Sequence, residues 1–341
     1  MTEVDLDELD VHVWEDLVSK SEICDAFQGY EWAQVLRKAF GVNPYFLIVH
    51  RDGDPVGGVM YLKKKVLGYL DCYEVRGGPL FTEGNKSQVM ESIIKALEGK
   101  RRKSAYVLFM PYPLINMSLR DVFEIANYHP ILFRTLIIDL SRPLDDVWKA
   151  LDKDARRGVR KSRKMGVEAK IASTEQDWKE YYNLQVVHSL ERHYTPEPYA
   201  FYEELFKLHR KNRCRLFVAE LDDQMIAGVL CLVLRQHLVG IRSASLSDFL
   251  KYQPNNAVHW RSIEWAKENG VTIYDWDGLP LERTEYLRGV YEYKRRWDGR
   301  VYWYYYYVNN RFLRSGVNFV RTSFRAWKLF SKLRSERIIP K

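Results

Sequence analysis

The sequence has few cysteines and no long apolar run. Four cysteines are scattered among its 341 residues and form no C-x-x-C pair, which excludes a disulfide scaffold and a cysteine-based zinc module and fits a reducing compartment. No apolar run approaches the roughly 18–20 residues that span a bilayer. The acidic start MTEVDLDELD is also unlike a signal peptide. We therefore expect a cytoplasmic protein.

The motifs of several common enzyme classes are missing as well. The eight histidines form no H-E-x-x-H pattern, and the sequence has no Walker A loop, no G-x-G-x-x-G after a strand and no G-x-S-x-G elbow. We accordingly expect neither a metal nor a cofactor.

The net charge of +8 is spread unevenly. Residues 1–22 carry eight acidic residues and one basic residue, whereas residues 311–341 carry nine basic residues and one acidic residue. In residues 311–338, Phe312, Trp327 and other apolar residues alternate with the basic ones, which predicts a basic amphipathic helix. This helix either packs on its own domain or makes a peripheral contact with RNA or with the inner face of a membrane, and both interpretations remain open.

An internal repeat organises the chain. The segment FLIVHRDGDPVGGVMYL (46–62) aligns without a gap on LFVAELDDQMIAGVLCL (216–232). Each copy has an apolar strand, a polar turn and a second apolar strand with glycine, which is the pattern of a β-hairpin. The length is suited to two domains, and a duplication explains how they arose.

The elements around the two hairpins repeat in the same order. Helix, hairpin, strand, helix and strand occur twice, which predicts an α/β fold with mixed sheets and helices on both faces. This order resembles the GNAT acyltransferase fold in tandem. We therefore predict a first GNAT-like domain at 1–140, a second at 141–310, and the C-terminal basic amphipathic helix at 311–341.

A strongly basic segment joins the two copies. A helix is predicted to begin at Asp145 and Asp146 and to end at Gly166. Part of its positive charge complements the helix macrodipole, but the basic residues exceed that need and also suit an anion-binding surface. The residues concerned are Arg156, Arg157, Arg160, Lys161, Arg163 and Lys164.

Several segments together resemble the FemA/FemB/FemX peptidyltransferases, which are double-GNAT proteins. The resemblance covers most of residues 25–307 and implies transfer of an aminoacyl group from aminoacyl-tRNA to an amine of a peptidoglycan precursor. It also implies that the basic helix contacts tRNA. The segments are FQGYEWAQVLRKAFG (27–41), VRGGPLF (75–81), RGVRKSRKMGVEAKIA (157–172), SLERHYTPEPYAFYEELF (189–206), IEWAKENGVTIYDWDGL (263–279) and GVYEYKRRWDGRVYWY (289–304).

Three residues are the candidate catalytic groups. Lys294, which follows Tyr293, matches the lysine of the family's Phe-Lys motif. Aminoacyl transfer from an ester needs positioning, proton removal from the ammonium and a donor for the oxyanion, and no covalent enzyme intermediate. Asp275 and Asp277, at the end of a late strand, are candidates to orient or deprotonate the amine. The plainer interpretations are a solvated lysine at a strand end and aspartates that cap a turn.

The positions expected to bind the acceptor depart from the family pattern. Leu36 and Glu197 stand where the family pattern has cationic residues that bind a diphosphate. Without each cation, charge-assisted hydrogen bonds worth roughly 1.5–3 kcal/mol of binding free energy are lost. The resemblance therefore implies a different anionic or lipid-linked amine acceptor. The candidate substrate-binding residues are Arg37, Tyr199, Phe201, Tyr202, Arg242, Tyr293, Arg295 and Trp297.

Two other functions stay open at this point. A CoA-dependent N-acyltransferase is the nearest, although the stretch 251–257, where a glycine-containing pyrophosphate loop is expected, has no glycine. A non-catalytic protein that binds RNA or membranes through residues 311–338 is the other.

Overall fold

The computed structural model describes residues 1–22, 25–66, 70–82, 84–100, 104–279 and 285–310. These residues form two compact units. The first comprises Met1–Leu132 together with the described chain from Tyr304 onward, and the second is Phe133–Trp303. The domain boundaries at residues 140 and 310 remain sequence predictions, and the predicted helix at 311–341 lies outside the described residues.

The described strands and helices are numbered in chain order. The strands are β1 (Thr2–Asp5), β2 (Pro44–Arg51), β3 (Asp54–Val66), β4 (Leu70–Arg76), β5 (Leu80–Phe81), β6 (Ser104–Met110), β7 (His129–Asp139), β8 (Glu168–Ile171), β9 (Cys214–Leu221), β10 (Gln224–Leu234), β11 (His237–Ser245), β12 (Ile273–Asp275) and β13 (Arg300–Asn310). The helices are α1 (Val11–Lys20), α2 (Tyr30–Phe40), α3 (Lys86–Gly99), α4 (Pro113–Asn116), α5 (Arg120–Ile125), α6 (Leu144–Ala150), α7 (Lys153–Lys164), α8 (Glu175–Glu191), α9 (Tyr199–Arg210), α10 (Pro254–Glu268) and α11 (Glu285–Arg295).

Each unit is built on a mixed sheet. In the first unit the strand order is β1-β2-β3-β4-β6-β13, with β5 paired to β3, and in the second it is β7-β12-β11-β10-β9-β8. Only β4–β6 and β11–β12 run parallel among the registered pairs. In the second unit, Val229 on β10 packs in a core with residues of α7 and α10. Its neighbour Gly228 lies against Tyr181 of α8 on the other face, so helices cover both faces, as predicted.

The two predicted hairpins have the same geometry. Phe46 pairs with Met60 in the first, and the aligned Leu216 pairs with Leu230 in the second. Both hairpins also carry one extra residue at the same aligned place, Val56 in one copy and Ile226 in the other. A shared register and a shared bulge are unlikely to arise independently, and they support the duplication inferred from the sequence.

The glycines of the two hairpins share a packing role. A Cβ atom on Gly58 would lie 2.5 Å from the carbonyl oxygen of Leu47, and one on the aligned Gly228 would lie 2.7 Å from the Tyr181 ring. Both positions therefore require glycine because the neighbouring atoms come too close for a side chain.

The two units differ where their parallel strands end. In the first, β4 and β6 end together, with Arg76 opposite Met110. In the second, β12 pairs with β11 only as far as Asp275, opposite Val239, while β11 continues to Ser245. The six residues of β11 beyond Val239, about 20 Å of strand, have no β12 residue paired with them. The resulting gap beside β11 lies next to the candidate active site.

The basic connecting segment is not one helix, so that prediction is wrong. The chain breaks at Leu151 and Asp152, where α6 ends and α7 begins. The Asp152 carboxylate accepts a hydrogen bond of 2.7 Å from the Asp154 N–H and caps α7. Gly166, with a φ of 80°, follows the end of α7, near the predicted end of the helix.

Candidate active site in the second unit

The turn after β12 holds two of the predicted catalytic residues. Asp275 is buried and ends the strand, and its carboxylate accepts hydrogen bonds from the Thr135 hydroxyl (2.5 Å) and the Asp277 N–H (2.9 Å). The Gly278 N–H in turn donates to the Thr135 hydroxyl oxygen at 3.2 Å. Asp277 and Gly278 have positive φ angles of 39° and 84°, so the chain leaves the strand in a tight turn. Asp275 thus caps this turn, as its plainer interpretation predicts.

Lys294 is attached to the same turn. It lies in the last turn of α11 rather than at a strand end, and it is mostly buried rather than solvated. Its ammonium donates to the carbonyl oxygens of Trp276 (2.7 Å) and Gly278 (2.6 Å). A lysine ammonium has three N–H donors, so within the described part of the chain one donor is left for a ligand.

Burial moves the pKa values of this pair toward neutrality. Desolvation lowers the pKa of Lys294 to about 8, although the carboxylates of Asp277 and Asp275 oppose the shift. Desolvation raises the pKa of Asp275 to about 7, against the hydrogen bond from Thr135. A buried acid and a buried ammonium that both titrate near neutral pH mark a candidate catalytic centre.

An aromatic cluster packs beside Lys294. The His259 ring stacks on Trp276 at 4.1 Å between centroids, and Tyr293 and Trp297 lie 6.0 and 5.8 Å from it. Burial, with a smaller contribution from the Lys294 charge, lowers the pKa of His259 to about 3, so this imidazole is neutral at pH 7. Tyr293 and Trp297 were predicted to bind substrate, and in the structure their rings pack against His259, Trp276 and each other.

Thr135 and His259 were missed by the sequence analysis. Thr135 is a single hydroxyl residue within the apolar strand β7, and His259 is one of eight histidines with no motif around it. Their contacts join elements far apart in the sequence, and no local pattern in the chain signals them.

A second group of predicted residues surrounds an ion pair at the extended end of β11. The Arg242 guanidinium pairs with the Glu197 carboxylate and lies 5.9 Å from the Phe201 ring centroid. Phe201 and Tyr202 are buried in α9, whereas Tyr199 is partly exposed at its start. The pairing gives Glu197 a local role, because it neutralises the guanidinium next to it.

Two predicted substrate-binding residues lie in exposed ion pairs. Arg37 of α2, in the first unit, contacts Asp7 at 2.5 Å. Arg295 contacts Glu292 within α11 at 3.5 Å. The roles of Arg37 and Arg295 in substrate binding remain predictions.

The predicted tRNA-binding residues lie on α7. Its buried side is formed by Ala155, Gly158, Val159 and Ser162. At 3.6 residues per turn, a second, exposed side collects basic residues over about 16 Å. We name this side the α7 basic stripe, and it consists of Lys153, Arg157, Arg160, Lys161 and Lys164. Of the other predicted residues, Arg156 donates to the Lys149 carbonyl and Arg163 pairs with Glu264.

Comparison with known proteins agrees with this fold. Residues 149–295, which lie within the second unit, match the family model described as "Acetyltransferase (GNAT) domain". No curated protein matches the chain. No helix among the described residues is both long and apolar enough to cross a membrane.

Three solved structures with a similar fold each cover at least 88% of this chain. A crystal structure of FemX has a TM-score of 0.74 at 14% identity and covers 91% of this chain and 97% of its own. The C-terminal domain of a candidate lysylphosphatidylglycerol synthetase from Agrobacterium fabrum has a TM-score of 0.62 at 12% identity, with coverages of 88% and 92%. A tandem GNAT protein from the clavulanic acid biosynthesis pathway, solved without AcCoA, has a TM-score of 0.52 at 11% identity, with coverages of 91% and 98%.

These likenesses show the fold. The predicted α/β architecture with duplicated GNAT-like parts is confirmed, and so is the resemblance to FemX in overall structure.

Proposed function

We propose that this chain transfers an aminoacyl group from aminoacyl-tRNA directly to an amine of a cell-envelope or other anionic or lipid-linked acceptor. The Lys294 ammonium carries the proposal: it is held by two carbonyls in a buried turn and has one donor left over. A fixed cation of this kind stabilises the oxyanion that forms when the amine attacks the ester carbonyl.

The reaction needs no covalent enzyme intermediate. The amine nitrogen forms a bond to the ester carbonyl carbon, the oxyanion accepts a hydrogen bond from Lys294, and the bond to the ribose oxygen then breaks. The amine loses one proton and the ribose oxygen gains one. Asp277, which is partly exposed and whose charge opposes the lowering of the Lys294 pKa, takes the proton from the attacking ammonium in this proposal. Asp275 acts through the turn and is a positioning residue.

Several observations support an aminoacyl-tRNA donor. The fold is similar to that of FemX, whose family uses this donor according to the resemblance described above. The α7 basic stripe has Lys161 and Lys164 without an acidic partner among the described residues, so both are available to phosphates.

Two observations support the proposed acceptor class: the charge around Arg242 and the name of one similar solved structure. Glu197 neutralises Arg242, so this part of the unit does not present the cationic pair that a nucleotide diphosphate requires. Lysylphosphatidylglycerol, the product named for one structural neighbour, is an aminoacylated lipid. A lipid-linked acceptor is therefore our preferred class.

A CoA-dependent N-acyltransferase is the second candidate, since the matched family is described as an acetyltransferase. The first turn of α10 argues against it. Pro254 stands at the start of this helix and lacks an N–H, and the Asn256 amide donates to the Ala155 carbonyl at 3.3 Å. A Cβ on Gly158 would lie 2.5 Å from Asn256 Nδ2. Helix α7 thus lies directly against the turn whose N–H groups would bind a pyrophosphate.

The test is transfer from charged tRNA to a panel of amine acceptors by wild-type protein and two Lys294 variants. We expect Lys294→Met to lower the rate about 100- to 1,000-fold, because one oxyanion donor is worth this much. The wild-type rate should fall above about pH 8, where Lys294 loses its proton. Lys294→Arg, which stays protonated, should move that fall to higher pH.

Transfer by Lys294→Met at the wild-type rate would remove Lys294 from the mechanism. If the transfer rate of Lys294→Arg falls at the same high pH as that of wild type, the fall belongs to another ionisable group. Exposed Lys20→Met, in the first unit, is the matched control and should keep the wild-type rate and pH profile.

A further inference from the structure

An exposed tryptophan lies above a buried arginine close to the Lys294 turn. Trp303 of β13 is 50% exposed, whereas Arg134 of β7 is 8% exposed. The Arg134 guanidinium carbon lies 5.3 Å from the Trp303 ring centroid and 4.5 Å from the Tyr291 ring centroid. One buried cation therefore contacts two aromatic rings, and one of them, Trp303, is half-exposed to solvent.

This arrangement is fixed to the candidate active site. Arg134 Nε donates to the Leu279 carbonyl at 3.4 Å, and the Leu279 N–H donates to the Arg134 carbonyl at 2.8 Å. Leu279 directly follows Gly278, whose carbonyl binds Lys294. Tyr291 is one helical turn before Lys294 on α11. The Trp303 ring is thus linked to the same turn as the ammonium.

An aminoacyl-tRNA carries its ester on the ribose of a terminal adenosine, so the adenine must bind about one nucleoside length from the reacting carbonyl. Aromatic side chains bind single-stranded nucleic acid by stacking on its bases, and arginine adds a cation–π contribution. We propose that Trp303, backed by Arg134, stacks on the terminal adenine of the tRNA donor. The proposal rests on the proposed function and adds to it a binding residue for the donor.

The Trp303 side chain is half-exposed rather than buried in a core. It is among the few large apolar residues exposed in the described chain, and the Arg134 guanidinium lies over its ring. A half-exposed indole that lies on a buried cation is suited to stack with a planar, electron-rich ligand from solvent. It is less suited to packing in a protein interior.

The test measures binding of two RNA minihelices, one ending in CCA and one truncated to CC. Stacking of one base is worth about 10-fold in affinity. We expect Trp303→Ala to weaken binding of the CCA minihelix about 10-fold and to leave binding of the CC minihelix within about 2-fold of wild type. Trp303→Phe, which keeps an aromatic face, should retain most of the affinity. Ile125→Ala removes an 83% exposed apolar side chain in the first unit and should change neither.

The outcomes separate this inference from the proposed function. If wild-type protein transfers from aminoacyl-tRNA but Trp303→Ala binds both minihelices like wild type, the stacking site is wrong and the function stands. CoA carries an adenosine too, and is tested in parallel. Trp303-dependent binding of CoA, without binding of either RNA, would overturn both the tRNA occupant and the tRNA donor.

Discussion

At the residue scale, the candidate site depends on two ionisable groups buried around one turn. Asp275 fixes the turn from within through Thr135 and the Asp277 N–H, and Lys294 fixes it from α11 through two carbonyls. The family resemblance suggested Lys294 and Asp275 as candidates, and Asp277 was predicted from its position at the end of the same strand. It could not indicate that Lys294 is buried on a helix, because its neighbours Arg295 and Arg296 suggest a solvated surface.

The buried carboxyl of Asp275 makes stability depend on pH. Burial raises its pKa from 3.8 to about 7, so folded protein holds this proton at pH values where unfolded protein has lost it. The free energy of unfolding should therefore decrease as pH rises from about 4 to about 7, by up to about 4 kcal/mol. In Asp275→Asn this decrease should be absent. The measurement is chemical denaturation of both proteins between about pH 4 and pH 8.

Asp139→Asn is the control for this prediction. The pKa of Asp139, on the same strand as Thr135, is lowered by hydrogen bonds from Ser141, so its substitution should leave the decrease in place. A wild-type curve that runs parallel to that of Asp275→Asn would show that Asp275 is ionised throughout this range.

At the element scale, hairpins were easier to predict than helix ends. The apolar strands and polar turns of the repeat are local patterns, and the structure confirms both hairpins and adds a shared bulge at Val56 and Ile226 that the sequence did not predict. The break between α6 and α7 was missed, because Asp152 resembles its acidic neighbours in sequence and its capping role appears only in the structure.

The α7 basic stripe leads to a prediction about salt. Double substitution Lys161→Gln with Lys164→Gln should weaken tRNA binding and reduce the slope of log affinity against log salt by about 2, because two phosphate contacts are lost. The measurement is a salt titration of tRNA affinity.

The matched control removes the same charge elsewhere. Lys20→Gln with Lys95→Gln, both exposed in the first unit, should leave the slope unchanged. Equal losses in the two double variants would mean that tRNA responds to net charge alone, and the stripe would lose its assigned role.

At the scale of the whole molecule, the parallel strands of the two copies end differently. In the first unit the parallel strands β4 and β6 end together, whereas in the second β12 stops short of β11 and the Lys294 turn follows. The sequence repeat predicted two similar units, but strand register depends on tertiary packing. The difference in strand ends between the two copies therefore emerged only from the structure, whereas the candidate residues Asp275, Asp277 and Lys294 were predicted in the second copy from the sequence.

The most direct test of the central claim is a donor comparison in single-turnover transfer by wild-type protein. Charged tRNA and acetyl-CoA, each labelled in the acyl group, are offered separately with the same amine acceptors. We predict that label moves from charged tRNA to an amine and forms an amide, with no labelled protein intermediate. Transfer from acetyl-CoA alone, or label that remains covalently on the protein, would contradict the claim.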